Sequence, residues 1–134
     1  MTKTILQTVV FKNTSPETLY GIYMDSAKHS KATGGKAKIT AKAGSGFTAW
    51  DGYITGKTLQ LVKGKMIVQS WRNPDFKTGD IDSTLVLQFE KKGNDAIVHM
   101  VHANVPNSEY AGLKSGWNDF YWKPWKKYLK SPQP

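Results

Sequence analysis

The stretch that most constrains this chain is its last long segment, NSEYAGLKSGWNDFYWKPWKKYL, residues 107–129. After Pro106, Asn107 or Ser108 is placed to act as N-cap and Glu109 puts a carboxylate in the first turn, which predicts a helix running to about Leu129. At 1.5 Å per residue such a helix is roughly 33 Å long. A domain of this size has a radius of gyration of only about 14 Å, so the helix must cross the whole molecule. Steps of about 100° gather Tyr110, Leu113, Trp117, Phe120, Tyr121, Pro124 and Tyr128 on one broad arc, with Ser115, Asp119, Lys123, Lys126 and Lys130 opposite. Trp122, Trp125 and Leu129 fall at the flank of that arc, where they either cover the edge of a sheet or meet a second copy; a homodimer is the assembly such a flank allows. Pro124 removes a backbone donor in mid-helix and predicts a kink.

A helix this long needs a sheet to lie on, and the rest of the chain supplies one. TILQTVVF (4–11) is rich in β-branched residues and reads as a strand. Asn13, Thr14, Ser15 and Pro16 then open a helix with Leu19, Ile22 and Tyr23 on one face, and Asp25 and Ser26 cap a second short helix that Gly34 and Gly35 stop. From there the period falls to two in KAKITAK (36–42), GFTAW (46–50), YITGKTLQLV (53–62), KMIVQSWR (65–72), DSTLVLQFE (82–90) and AIVHMVHANV (96–105). The punctuation between them, Gly44/Gly46, Asp51-Gly52, Lys63-Gly64 and Lys92-Gly93-Asn94, is that of tight turns, and an Asp-Gly pair between strand-like runs is a strong hairpin signal. The expected class is α+β: a curved antiparallel sheet of about six to seven strands wrapped around a long C-terminal helix, two short helices following the first strand, and one domain over residues 1–134. A strongly twisted sheet cannot follow a straight helix along its length, so a gap between the two is the natural place for an apolar ligand.

Composition narrows the chemistry. The 134 residues include sixteen aromatics, nineteen Lys plus Arg against ten Asp plus Glu for a net charge of +9, and no cysteine. Without thiols there is no disulfide, no catalytic thiolate and no thiolate metal site, and a cytoplasmic location is the default expectation. The N-terminal segment alternates and lacks a cleavage-like pattern, and no apolar run approaches the roughly 20 residues of a membrane span. Eighteen of the nineteen basic residues are Lys, with Arg72 the one arginine, which argues against specific nucleic-acid readout by planar bidentate contacts. Most of the excess lies in residues 1–67, densest at Lys28, Lys31, Lys36, Lys38 and Lys42, which reads as a solvated face or a seat for an anionic partner. Lys123, Lys126, Lys127 and Lys130 complement the negative end of the last helix. The glycine pairs lack phosphate-cradle spacing, and Asp80-x-Asp82 reads as a solvated turn, so neither a cofactor nor a metal is expected.

The ordered segments GFTAWDGYITGKTLQL, KMIVQSWR, STLVLQF, HANVP and GWNDFYWKPWKKYL resemble the family of homologues of the activator of heat shock protein 90 ATPase, within the START-like (SRPBCC) superfamily that includes the birch pollen allergen fold. The resemblance runs from about Ser15 to Leu129 and implies a helix-grip domain with a hydrophobic cavity. The family pattern directs the parity of Val98, Met100 and His102 inward, leaving His99 outward. With Ser83, Leu85, Leu87 and Phe89 also facing in, a cavity should be lined by Ile67, Trp71, Leu85, Leu87, Met100, His102, Trp117, Phe120 and Tyr121, while the direction of Trp50 stays open. His102 itself reads either as a hydrogen-bonded core residue or as a group that orients a ligand or moves a proton. With no thiol and three scattered histidines, the leading expectation is a non-enzymatic module holding a small hydrophobic ligand. The resemblance also implies a stress-response, chaperone-interacting protein, and, resting on His102 alone, a cyclase- or hydrolase-like enzyme.

Overall fold

β1 (Thr2–Phe11) leads into α1 (Pro16–Met24) and α2 (Ser26–Thr33); β2 (Gly46–Ala49), β3 (Ile54–Val62), β4 (Met66–Trp71), β5 (Ser83–Lys92) and β6 (Asp95–Pro106) then precede α3 (Asn107–Trp117), a π-helical turn (Asn118–Trp122) and α4 (Lys123–Lys130). The computed structural model describes residues 1–131, so residues 132–134 of the expected domain lie outside the described residues. The strands β2 to β6 form a meander, and β1 returns to pair with β6, giving one antiparallel sheet in the order β1-β6-β5-β4-β3-β2. With the C-terminal helix laid across it, this is an α+β helix-grip fold.

The caps follow from local chemistry. Ser15 Oγ accepts from the Thr18 N–H at 3.1 Å with Pro16 opening α1, Asp25 accepts from the Lys28 N–H at 3.0 Å to start α2, and Gly34 closes α2 at φ 88°. The stretch 36–42 does not become the strand that its alternation predicts. Lys38 makes one bridge to Thr48, while the Ala37 and Ile39 N–H groups are taken by the hydroxyls of Ser30 (2.9 Å) and Ser26 (2.8 Å) on α2. The Thr40 carbonyl accepts from the Lys42 N–H at 2.7 Å in a turn, so pairing with β2 stops at Lys38 and the sheet has six strands.

The C-terminal helix departs from expectation in two ways. It starts at Asn107 with Pro106 in the cap position and no side-chain cap, so neither Asn107 nor Ser108 is the N-cap. Just before Pro124 the helix also widens by one π turn, in which the Lys123 N–H reaches the Asn118 carbonyl five residues back. That extra residue moves every later side chain by roughly 100° around the axis. Trp122 and Trp125, expected at the flank, therefore rotate onto the sheet and are 2% and 0% exposed, whereas Phe120 swings out and is 55% exposed. Of the two roles open to that flank, Trp122 and Trp125 cover the sheet and are not exposed to meet a second copy. The Asn118 N–H bonds Ser115, which frees the Lys114 carbonyl from its helical donor; Gln7 on β1 donates to that carbonyl at 2.9 Å and accepts from the Trp122 indole at 2.8 Å.

Beneath the helix the inward parity is as expected: Ile67, Leu85, Leu87, Phe89, Val98 and Met100 are buried. Burying each such side chain stabilises by about 1.5–3 kcal/mol. The tryptophans fill the rest, Trp117 stacking on Trp122 (5.5 Å, 19°) and Trp122 meeting Trp125 edge-on at 5.2 Å.

Candidate functional site

The gap between sheet and helix is not a tunnel along the helix but a cleft at its N-terminal end, with a volume of about 560 Å³. Three elements build it. The first is the β2–β3 hairpin, where Trp50, Asp51 and Gly52 are successive left-handed residues at φ 53°, 57° and 89°. A bulky side chain there costs about 1–3 kcal/mol. The conformation is held by the Asp51 N–H bond to the Lys36 carbonyl at 2.9 Å and by Gly35, where even a methyl group would lie 2.3 Å from the indole. The result points the Trp50 ring at Phe120 (5.7 Å, edge-on) and Tyr121 (6.4 Å).

The second element is the loop after β4. Arg72 organises it, donating to the carbonyls of Asp80 and Lys77, each at 2.7 Å, and to the Asp82 carboxylate at 3.1 Å. The Asp80 carboxylate accepts from the Lys77 N–H at 2.8 Å, so the D-x-D pair is engaged in shaping this loop. The loop sets Asn73 and Asp75 at the cleft mouth, Asn73 Oδ1 accepting from the Asp75 N–H at 2.8 Å. The Tyr53 hydroxyl donates to the Asp75 carboxylate. Losing that bond, and gaining charge beside Asp75 and Glu109, pushes the Tyr53 phenol up to about 12.

The third element is α3, which turns Glu109, Gly112, Leu113 and Gly116 toward the cleft, with Trp117, Phe120 and Tyr121 following. These positions recur at three- and four-residue spacing and so share one helical face. Gly112 has open space where a Cβ would stand.

Of the residues expected to line a cavity, Trp71, Trp117, Phe120 and Tyr121 do line this cleft. Ile67, Leu85, Leu87, Met100 and His102 do not: they are packed in the core, at most 1% exposed. His102 is fully engaged there. Ser83 Oγ donates to the Trp71 carbonyl at 2.7 Å, which leaves it accepting from His102 Nε2–H at 2.8 Å, while the Trp117 indole donates to His102 Nδ1 at 3.1 Å. Both ring nitrogens are used and the ring is neutral; burial holds its pKa down at about 3. His29, also buried, donates through Nδ1 to the Tyr23 carbonyl at 2.8 Å, and burial lowers its pKa as well. His99 faces outward beside Glu90. Among the described residues no group of three or more His, Asp or Glu could hold a metal ion, and no helix is long and apolar enough to cross a membrane.

The lining residues that sequence reasoning leaves out include Trp50, Tyr53, Asn73, Asp75, Glu109 and Gly112. Two signals for them are present in the sequence: Asn73-Pro74-Asp75 directly after a strand, and Gly112 and Gly116 four residues apart on a helix.

The family model for Activator of Hsp90 ATPase homolog 1-like protein matches residues 13–130. The chain belongs to this family. The human protein named activator of 90 kDa heat shock protein ATPase homolog 1 is 29% identical over 110 residues, which are 82% of this chain and 32% of the human protein. The Dictyostelium discoideum activator of 90 kDa heat shock protein ATPase homolog is 26% identical over 104 residues, 77% of this chain and 27% of that protein. The chain thus spans about a third of the length of the curated relatives it matches. The same helix-grip fold is seen in an HSP90 activator from Plasmodium falciparum (TM-score 0.86, 24% identity, 98% of this chain and 99% of that one). It recurs in the Aha1 dimer from Colwellia psychrerythraea (TM-score 0.76, 18% identity, 90% and 92%).

Proposed function

We propose that this member of the family is a non-enzymatic binding module that takes a small, mostly apolar molecule into the cleft between α3, the β2–β3 hairpin and the loop after β4. The observation that carries the reading is the wall itself: Trp50, Trp71, Trp117, Phe120 and Tyr121 converge on a cleft of about 560 Å³, within the range of ligand sites. No histidine lines it and His102 is occupied in the core, so binding accounts for the geometry better than turnover. Gly112→Leu provides the test. A Cβ at this cleft-lining position meets nothing within 4 Å, and removing a helical glycine stabilises by about 1 kcal/mol. In a thermal-shift screen of naphthyl- and indole-based compounds, hits should raise the wild-type Tm, while G112L melts higher alone and responds to none of them. Hits that shift both proteins equally refute the site.

A second reading, stimulation of a chaperone ATPase, draws support from the identity with the human protein and from a separate feature of the surface. Lys31 on α2 lines one groove with Lys123 and Lys127 on α4, where Asp119 pairs with Lys123 at 3.8 Å and leaves an excess of positive charge. Such a face suits an acidic protein partner. Stimulation of a heat shock protein 90 ATPase that disappears on changing Lys31, Lys123 and Lys127 to Glu supports it; no stimulation by the wild type rejects it.

A further inference from the structure

The charge of the cleft is opposite to that of the protein. The chain carries +9, yet none of its nineteen Lys and Arg residues lines the cleft, whereas Asp75 and Glu109 both do. Glu109 has no ion pair or hydrogen-bonded side-chain partner among the described residues, and Asp75 bonds a neutral phenol rather than a cation. Both carboxylates act on the Tyr53 hydroxyl, which places their fields at the same mouth. Behind them stand six aromatic rings, those of Tyr53, Trp50, Trp71, Trp117, Phe120 and Tyr121. Aromatic faces attract a cation through their quadrupole, and carboxylates attract it directly.

We infer that the cleft selects aromatic molecules bearing a protonated amine, the ring seated among the tryptophans and the ammonium group at the mouth between Asp75 and Glu109, and that it rejects the corresponding anions. This rests on the binding reading above and specifies its ligand class. The global charge works against the result, since a +9 protein attracts anions and repels cations at long range; a preference for cations must therefore come from the cleft.

The experiment uses three probes with one ring system: 2-naphthylmethylamine, 2-naphthylmethanol and 2-naphthoate, titrated calorimetrically into the full chain at pH 7 and low salt. The amine should bind about tenfold more tightly than the alcohol, with the carboxylate weakest. In a D75N/E109Q double variant the ratio of amine to alcohol affinity should fall to within about twofold; the side-chain amide that replaces the Asp75 carboxylate can still accept from Tyr53. G112L should abolish binding of the amine. Equal affinity for all three probes, or an amine preference that survives D75N/E109Q, overturns the charge selection and leaves the binding reading standing. No binding by any probe overturns both.

Discussion

The buried histidines make stability depend on pH below 6.5. His102 is held neutral, with its pKa depressed from 6.5 to about 3 by burial. Below pH 6.5 the unfolded chain takes up a proton at this position and the native state does not, so acidification favours unfolding. The contribution is fully present above pH 6.5 and is lost at about 1.4 kcal/mol per pH unit as the pH falls toward 3. At pH 4.5 the loss is therefore about 3 kcal/mol, a large part of the 5–15 kcal/mol that a domain commonly has. His29, lowered by burial too, adds a loss of the same sign. Asp95, stabilised as a carboxylate chiefly by the Asn13 N–H, also loses stability with acid, but around and below its ordinary 3.8, beneath the pH range of the measurement. The groups around the His102 ring are Ser83, Trp71 and Trp117, so no facing charge offsets the effect. Urea unfolding followed by tryptophan fluorescence from pH 7.5 to 4.5 measures it. The comparison is His102→Gln, whose amide can still accept from Trp117 and donate to Ser83 but cannot titrate. The variant should have a shallower slope by about 1.4 kcal/mol per pH unit. Identical slopes for the two proteins would show that His102 is not held neutral, and the hydrogen-bond chain from Ser83 through His102 to Trp117 would be wrong.

Other perturbations test the packing. Trp125→Ala, at a fully buried side chain, should cost about 3–5 kcal/mol in urea unfolding; a loss under about 1 kcal/mol would place Trp125 on the surface. Ser26→Ala leaves the Ile39 N–H without its acceptor and should cost about 1–3 kcal/mol, with faster amide exchange confined to residues 36–42. Gly56→Ala puts a methyl group 1.9 Å from the Ser70 carbonyl on β4, which must break the β3–β4 register, and the readout is loss of soluble protein or of a cooperative melt. Gly35→Ala pushes directly on the Trp50 ring, and it should shift the Trp50 indole resonance and weaken cleft binding while the core resonances stay in place.

What could be read from the sequence was what depends on local chemistry. The caps within Asn13–Pro16 and Asp25-Ser26 and the Gly34 stop each follow from a residue and its immediate neighbours, while the inward parity of Leu85, Leu87, Met100 and His102 rests on alternation together with the family resemblance, and the structure shows them as expected. What escaped depends on long-range competition. Residues 36–42 alternate like a strand, and only the arrival of α2 brings Ser26 and Ser30 to take their backbone donors. The helix arc is correct through Trp117 and again at Tyr121, but Phe120 is exposed and Trp122 and Trp125 are buried, because a single π turn at Asn118–Trp122 resets the phase. The cleft is half legible for the same reason: Trp71, Trp117 and Tyr121 precede or sit at that change, while Asn73 and Asp75 are placed by Arg72 reaching back across its own loop.

The π turn also explains how the C-terminal half of the grip is filled. A regular helix over 107–130 would send Phe120 and Pro124 to the sheet and leave Trp122 and Trp125 beside it. The inserted residue instead packs both tryptophans under the C-terminal half, where with Phe11 and Tyr23 they fill the concave face. The N-terminal half of the helix brings Gly112, Leu113 and Gly116, side chains too small to do the same. The open end thus follows from the small residues that precede the π turn, and the filled end from that one backbone irregularity. It persists because its displaced groups are matched: Gln7 takes the freed Lys114 carbonyl, and the proline that follows has no N–H to place. A Gln7→Leu substitution removes that match and should cost about 1–3 kcal/mol. If the coupling between the two halves is real, it should also broaden the Trp117 and Tyr121 signals at the cleft wall; unchanged wall resonances would mean the two halves pack independently.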